Sequence, residues 1–208
     1  MTAIVSRARI LPLAAVALLL TGCAASPTLV ASDPERGFAL YRSGQLSAGE
    51  LAELCRLGVE EMVVLDGGAT DHECALRGRV CPDLVVRYNT IQDARLPVTA
   101  EFLAAFYAWV GKARETGRKI AFRCRHGWHR AGRLTAWYRM RFEGATVDEA
   151  VAEMLDGGRF MSRHPQLPPQ VQAMADLLAG RPCSTAPEHC VVGEGWPEGP
   201  GFPGDECP

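Results

Sequence analysis

The sequence predicts an α/β fold: a mainly parallel central sheet flanked by helices, in three layers around one core. Three observations carry this. Short apolar runs bounded by turn residues alternate with longer amphipathic runs, which is the pattern of strands joined by crossover helices. Two capping boxes, Ser47 with Glu50 and Thr146 with Glu149, mark helix starts. The apolar run Lys119-Ile120-Ala121-Phe122 passes through a glycine-containing loop into a helix, and strand-end loops are where parallel sheets place ligands.

Residues 1–22 read as an address. Arg7 and Arg9 form a positive start, and Ile10 to Leu20 is an apolar stretch too short to span a bilayer. Leu20-Thr21-Gly22-Cys23 resembles a bacterial lipobox, which makes Cys23 the lipidated first residue of the mature chain. Ala24 after it, by likeness to Gram-negative lipoproteins, favours the outer membrane and a periplasm-facing domain. Residues 23–36 are small and polar and read as a linker. One domain is expected over residues 37–180.

Gly37 to Tyr41 reads as the first strand. The helix opened by Ser47 carries Leu51, Leu54 and Cys55 inward and stops at Gly58. Glu61 to Leu65 is a buried-type strand, Asp66 to Arg79 a glycine-rich charged loop, and Leu84 to Tyr88 another strand pointing at Ile91-Gln92-Asp93. Thr99 caps a helix with Phe102, Phe106, Trp109, Val110 and Ala113 on one face, and Gly117 ends it. After the strand at Lys119 and its loop, Leu134, Trp137, Tyr138 and Phe142 share a helical face. Val147, Ala150, Val151, Met154 and Leu155 form the stripe of the next helix, broken at Gly157-Gly158. The last helix opens at Pro168-Pro169, carries Val171, Met174, Ala175 and Leu178, and ends at Gly180. Residues 181–208, rich in proline, glycine and cysteine, are expected to lack regular structure.

The chemistry concentrates in Arg123-Cys124-Arg125-His126-Gly127-Trp128-His129-Arg130-Ala131-Gly132-Arg133. Unpaired amides at a helix start, with the helix dipole behind them, cradle a phosphate and hold a cysteine as thiolate. Arg130, six residues after Cys124, closes over the same anion with a planar fork of donors. The spacing alone is unspecific, since Cys81 and Arg87 share it. The strand before Cys124, Gly127 and Gly132, and the helix after them distinguish this pair. Cys124 then attacks phosphorus, while Arg130 and the amides of Arg125, His126, Gly127, Trp128 and His129 hold the phosphoryl oxygens.

This loop resembles the signature of the cysteine-dependent protein tyrosine and dual-specificity phosphatases. It is most similar to the atypical dual-specificity branch of plants, fungi and bacteria, some of whose members cleave inositol pyrophosphates. The resemblance runs from about Phe38 to Leu178 and includes Tyr41-Arg42-Ser43-Gly44-Gln45, Asp93 through Pro97, and Ala136 through Met140. It implies a phosphatase-like domain and a phosphorylated substrate, protein or inositol phosphate. It also implies that Asp93, 31 positions before Cys124, protonates the leaving oxygen. Asp66 and Asp71, on another strand-end loop, are rivals for that role. Low-molecular-weight phosphatases carry the loop near the N-terminus with the acid after it, opposite to the order here. Two positions depart from the family: Arg123 stands where it usually has histidine, and Ala131 where it usually has serine or threonine. The missing hydroxyl normally stabilises the departing thiolate. It therefore keeps a second reading open, a catalytically inactive phosphate-binding lipoprotein.

Composition bounds the partners. Loss of residues 1–22 removes two arginines and no acid, taking the net charge from −2 to −4. The basic loop is thus local and implies no nucleic-acid partner. With Cys23 and Cys124 assigned, six cysteines remain, which in an exported chain fit disulfides; Cys74–Cys81 and Cys183–Cys190 are the expected local pairs. No close cysteine–histidine cluster is present, so no metal is expected, and the chemistry requires no cofactor. Arg125, His126, Trp128 and His129, with Arg133 one turn on, are expected to ring the pocket mouth and favour polyphosphorylated substrates.

Overall fold

The computed structural model describes residues 26–193 and 201–207. The expected address at 1–22 and the lipidation residue Cys23 lie outside the described residues. Among the described residues, no helix is long and apolar enough to cross a membrane.

A five-stranded sheet forms the middle layer. Its strands are β1 (Thr28–Asp33), β2 (Phe38–Ser43), β3 (Val59–Val64), β4 (Val85–Asn89) and β5 (Lys119–Arg123), in the order β1-β2-β5-β3-β4. β2, β5, β3 and β4 run parallel; only β1 is antiparallel, paired with β2. Helices α1 (Ala48–Arg56) and α2 (Ala75–Val80) accompany one face, where Leu51, Leu54, Met62, Val64 and Ala121 meet. The other face carries α3 (Ala100–Thr116), α4 (Arg130–Glu143), α5 (Val147–Asp156) and α6 (Leu167–Leu178). There Phe106, Phe122, Trp137 and Tyr138 form the aromatic heart of the larger core.

Local sequence explains the helix ends. Both capping boxes form: Ser47 Oγ accepts from the Glu50 amide while Glu50 accepts from the Ser47 amide, and Thr146 and Glu149 repeat the arrangement. Thr99 Oγ1 accepts from the Phe102 amide. Gly117 ends α3 at φ 71, against the β1–β2 turn; a Cβ there would meet Arg36 O at 2.0 Å.

Four expectations need correction. The stretch read as a linker includes β1, because Pro34 to Gly37 makes a tight turn, with the Gly37 amide donating to Pro34 O, that folds residues 28–33 back onto β2. The charged loop at Asp66 to Arg79 contains a π-helical turn, Thr70–Cys74, running into α2. The tail is not free of structure: Pro187–His189 is a 3₁₀ turn, Val192 bridges to Thr99, and Phe202 packs on Tyr88 and Phe102. Among the described residues the disulfides are Cys55–Cys81, Cys74–Cys207 and Cys183–Cys190. The local pair Cys74–Cys81 does not form; each of its members reaches a more distant partner.

Candidate active site

Cys124 follows the last residue of β5 at the C-terminal edge of the sheet. Its amide donates to Ser43 O of β2, and its side chain is 1% exposed and not in a disulfide. The loop then turns at Gly127, whose φ of 77 suits a residue without a side chain, and enters α4 at Arg130. The Gly132 amide pairs with Trp128 O and that of Arg133 with His129 O. Among the described residues, no protein acceptor takes a hydrogen bond from the amides of Arg125 through Ala131. Seven consecutive donors at a helix start make an anion-binding concavity.

Arg130 is fixed by its Nη1, which donates to Leu65 O (2.8 Å) and Gln92 O (3.1 Å). Two carbonyls, one just past β3 and one on the loop after β4, thus orient the guanidinium. Arg130 lies between two shallow depressions of about 350 and 360 Å³. One is lined by Gln92, Asp93, Arg95, His126, His129 and His164. The other is lined by Gln45, Asp66, Gly68, Asp71 and Arg125.

Asp93 sits on the first rim, half-exposed, with Oδ1 accepting from the Arg95 amide at 2.9 Å. That bond, helped by the charges of Arg95 and Arg130, holds its carboxyl below the usual range despite slight desolvation. The rivals are placed differently. Asp66 is engaged by Arg123 Nη1 at 2.5 and 2.6 Å. Asp71 lies in the second depression, across Arg130 from Asp93.

Arg123 is wholly buried behind the loop. Burial works against its charge, but Glu73 and Asp66 overcome this and raise its pKa. Arg133 is not a rim cation as expected. Three residues into α4 it points into the protein, where its Nη1 donates to Leu96 O and Gln170 Oε1, and burial lowers its pKa to about 10, with Arg130 acting in the same sense. Gln170 Nε2 also donates to Arg95 O, and Gln166 Nε2 to Ala94 O. Arg133, Gln166 and Gln170 therefore hold the Asp93 loop from behind. Sequence reasoning missed both glutamines, since a polar residue just before or on an amphipathic helix reads as solvent-facing.

His164 is the other missed rim residue. Its ring lies 3.9 Å from that of His129, whose Nε2 faces Arg159 O at 3.0 Å. Desolvation lowers both histidine pKa values, assisted at His129 by His164 and at His164 by Arg95 and Arg130. Trp128 and His126 stack loosely along the same rim, and Arg125 is exposed on the far side. Among the described residues, no group of three or more histidine, cysteine or acidic side chains is placed to hold a metal ion.

No known family model matches this chain, and no curated protein matches it. Solved structures do. P. aeruginosa TpbA in complex with pTyr is 23% identical, with 74% of this chain and 96% of that one covered and a TM-score of 0.52. Tk-PTP in its active form is 20% identical, covering 68% and 92%, with a TM-score of 0.51. A mutant form of Tk-PTP is 18% identical, covering 74% and 97%, with a TM-score of 0.56. At these identities the likeness establishes a shared fold: a mostly parallel α/β sheet flanked by helices, spanning nearly the whole of each of these structures.

Proposed function

We propose that this protein is a lipid-anchored phosphatase that hydrolyses phosphate monoesters, of protein or of inositol phosphate type, through a cysteinyl-phosphate intermediate. The observation that carries the reading is the juxtaposition of Cys124, seven unpaired amides and the braced guanidinium of Arg130 at one sheet edge, with Asp93 on its rim. One structural neighbour supports it by its bound ligand, since that TpbA structure is a complex with pTyr.

In this scheme Cys124 Sγ attacks phosphorus as the bond to the leaving oxygen breaks. The loop amides and the Arg130 N–H groups not used on Leu65 and Gln92 hold the equatorial oxygens. Asp93 supplies the proton an alkoxide needs to depart. Its depressed pKa in the free protein is raised when a phosphate dianion arrives beside it, because like charges disfavour ionisation. Water then attacks the phosphocysteine and releases inorganic phosphate. Cys23 carries the lipid that tethers the domain to the cell envelope, facing the periplasm from the outer membrane.

The feature that favours the other reading, an inactive phosphate-binding protein, is Ala131, buried at the start of α4 without the hydroxyl usual in the resembled family. A panel of phosphoesters decides between them. Turnover that disappears in Cys124→Ser and Arg130→Lys, with a phosphorylated Cys124 trapped by acid quench and seen by mass, is the expected result. A wild type that binds phosphate yet turns over no ester supports the inactive protein. Intact mass of the membrane-extracted chain, and release of Cys23→Ser from membranes, test the anchor.

A further inference from the structure

The start of the described chain and the catalytic loop lie at the same edge of the sheet. β2, β3, β4 and β5 are parallel, so their C-terminal ends share that edge, and Cys124 follows β5 there. β1 is antiparallel, so it begins where β2 ends: Thr28 stands opposite Arg42, next to Ser43, whose carbonyl accepts from the Cys124 amide. Arg42 in turn lies close to the end of α5, since a Cβ on Gly157 would come within 2.9 Å of its Nη2. Gly157 is two residues before Arg159, which covers Trp128 on the site rim.

Cys23 precedes Thr28 by five residues. A chain extends at most about 3.3–3.6 Å per residue, so that segment spans no more than about 18 Å. An acylated Cys23 therefore keeps the site edge, and not the opposite one, close to the headgroups of the membrane holding the lipid.

The surface at that edge suits such a position. Leu96 on the Asp93 loop is 61% exposed and Ile91 73%. Phe160, packed against Trp128, is 59% exposed and held at φ 56, a conformation disfavoured for an aromatic L-residue. Between and beside them stand Arg95, with its side chain 82% exposed, and Arg163, whose guanidinium covers the Phe160 ring at 4.9 Å. Apolar side chains pointing outward among arginines around an opening match the interface of an anionic bilayer. Ile91 lines the depression beside Arg130 itself, and Phe160 packs against Trp128 of the loop.

Resting on the phosphatase and anchor readings above, we infer that the site edge docks on the anionic bilayer that holds the anchor, and that the substrate is a phosphomonoester headgroup of a lipid in it. The P–O bond to the lipid alcohol breaks as S–P forms, the alcohol leaves with the proton from Asp93, and water later releases inorganic phosphate. The test uses the full-length acylated chain in phosphatidylcholine vesicles containing phosphatidic acid, with an aryl phosphate and a phosphotyrosyl peptide as soluble comparisons. Phe160→Asp is expected to lower phosphatidic acid turnover at least tenfold and to change aryl phosphate turnover less than twofold. Equal turnover of phosphatidic acid by variant and wild type, or a preference for the peptide, overturns the inference. A wild type inactive on every ester sinks the phosphatase reading instead, and docking is then decided without catalysis. Brominated phosphatidylcholine should quench a larger share of emission in Phe160→Trp than in the parent; equal quenching overturns docking. An unacylated Cys23 removes the tether and overturns it as well.

Discussion

Arg123 grips Glu73 through two parallel hydrogen bonds, Nε to Oε1 at 2.7 Å and Nη2 to Oε2 at 2.5 Å, where neither side chain reaches solvent. The remaining Nη1 holds Asp66, which itself accepts from the Gly68 amide. The residue immediately before Cys124 is thus locked to both the β3 end and the π-helical turn. Removing one partner of a buried ion pair strands the other at a cost of about 3–5 kcal/mol. Arg123→Met should therefore lower unfolding free energy by about that much in urea titrations with the disulfides intact. Arg123→His should also destabilise, although histidine is usual here in the resembled family, because one imidazole cannot reach both carboxylates. A loss below about 1 kcal/mol in both variants would mean the network does not brace the loop.

Glu73 adjoins Cys74, and Cys74 is tied to Cys207 across 133 positions. Constraining so long a loop removes much entropy from the unfolded chain, about 4–5 kcal/mol in the simplest treatment. Asp205 adds to the clasp by accepting from the Val86 amide at 3.1 Å and pairing with Arg77. Cys207→Ser should lower Tm by more than loss of the short Cys183–Cys190 link does. Hydrogen exchange should quicken first at Thr70–Cys74, which lies behind Arg123. Equal effects of the two deletions would contradict this ordering.

The parts legible in the sequence were those written in local syntax. Two capping boxes, the strand before Cys124, Gly127 and the apolar face of α4 all depend on neighbours within a few residues, and each stands where the sequence predicts it. What was missed depends on distant contacts. β1 looks like a linker because an edge strand of small residues needs only one partner, and its turn signal is just Pro34 and Gly37. Cys207 reads as a tail residue until the fold brings it to Cys74. Arg133 belongs by composition to the basic loop, yet the helical period turns it inward to Gln170. His164 reaches the rim only because the segment between α5 and α6 folds back over the loop.

Asp93 carries a prediction about catalysis. Asp93→Asn should lower kcat by about 10²–10⁴, and more for alkyl than for aryl esters, whose leaving groups need less protonation. Because the Arg95 amide holds the free carboxyl low, kcat/KM on alkyl esters should already be falling as pH rises through the acidic range. kcat should persist to higher pH, since the bound dianion raises the same group. Superimposable pH profiles for the two constants, or equal losses on both ester types, would move the acid role to Asp71.

Ala131 predicts the slow step. Without a hydroxyl to stabilise the departing thiolate, hydrolysis of the phosphoenzyme should limit turnover, and an aryl phosphate should give a burst of phenol in stopped flow. Ala131→Ser should raise kcat and shrink the burst. Ala131 has no exposed surface, so the added oxygen also needs room. Unchanged stability in the variant is the control that separates a chemical gain from repacking. No burst in the wild type together with no gain in the serine variant would deny the position kinetic meaning.

The rim sets the last prediction. Without Arg133, the cations facing the cleft are Arg125 on one side of Arg130 and the group His126, His129, His164 and Arg95 on the other. Burial, reinforced by the neighbouring histidines, Arg95 and Arg130 against the single acid Asp93, makes His129 and His164 titrate below the usual histidine value of about 6.5. Their help to a polyanion should therefore appear only as pH falls below about 6.5, with kcat/KM for an inositol polyphosphate rising there relative to an aryl phosphate. The same depression has a stability sign. The unfolded chain binds protons that the folded one resists, so stability should decline as pH drops through 6.5 toward the folded values. His129→Gln with His164→Gln should flatten both trends, in rate and in Tm. Arg125→Ala should cost about tenfold on the polyphosphate and about twofold on the aryl ester. Its effect should fade as salt shortens the screening length from about 10 Å at 0.1 M. An equal loss on both substrates, insensitive to salt, would reduce the rim to a solubilising surface.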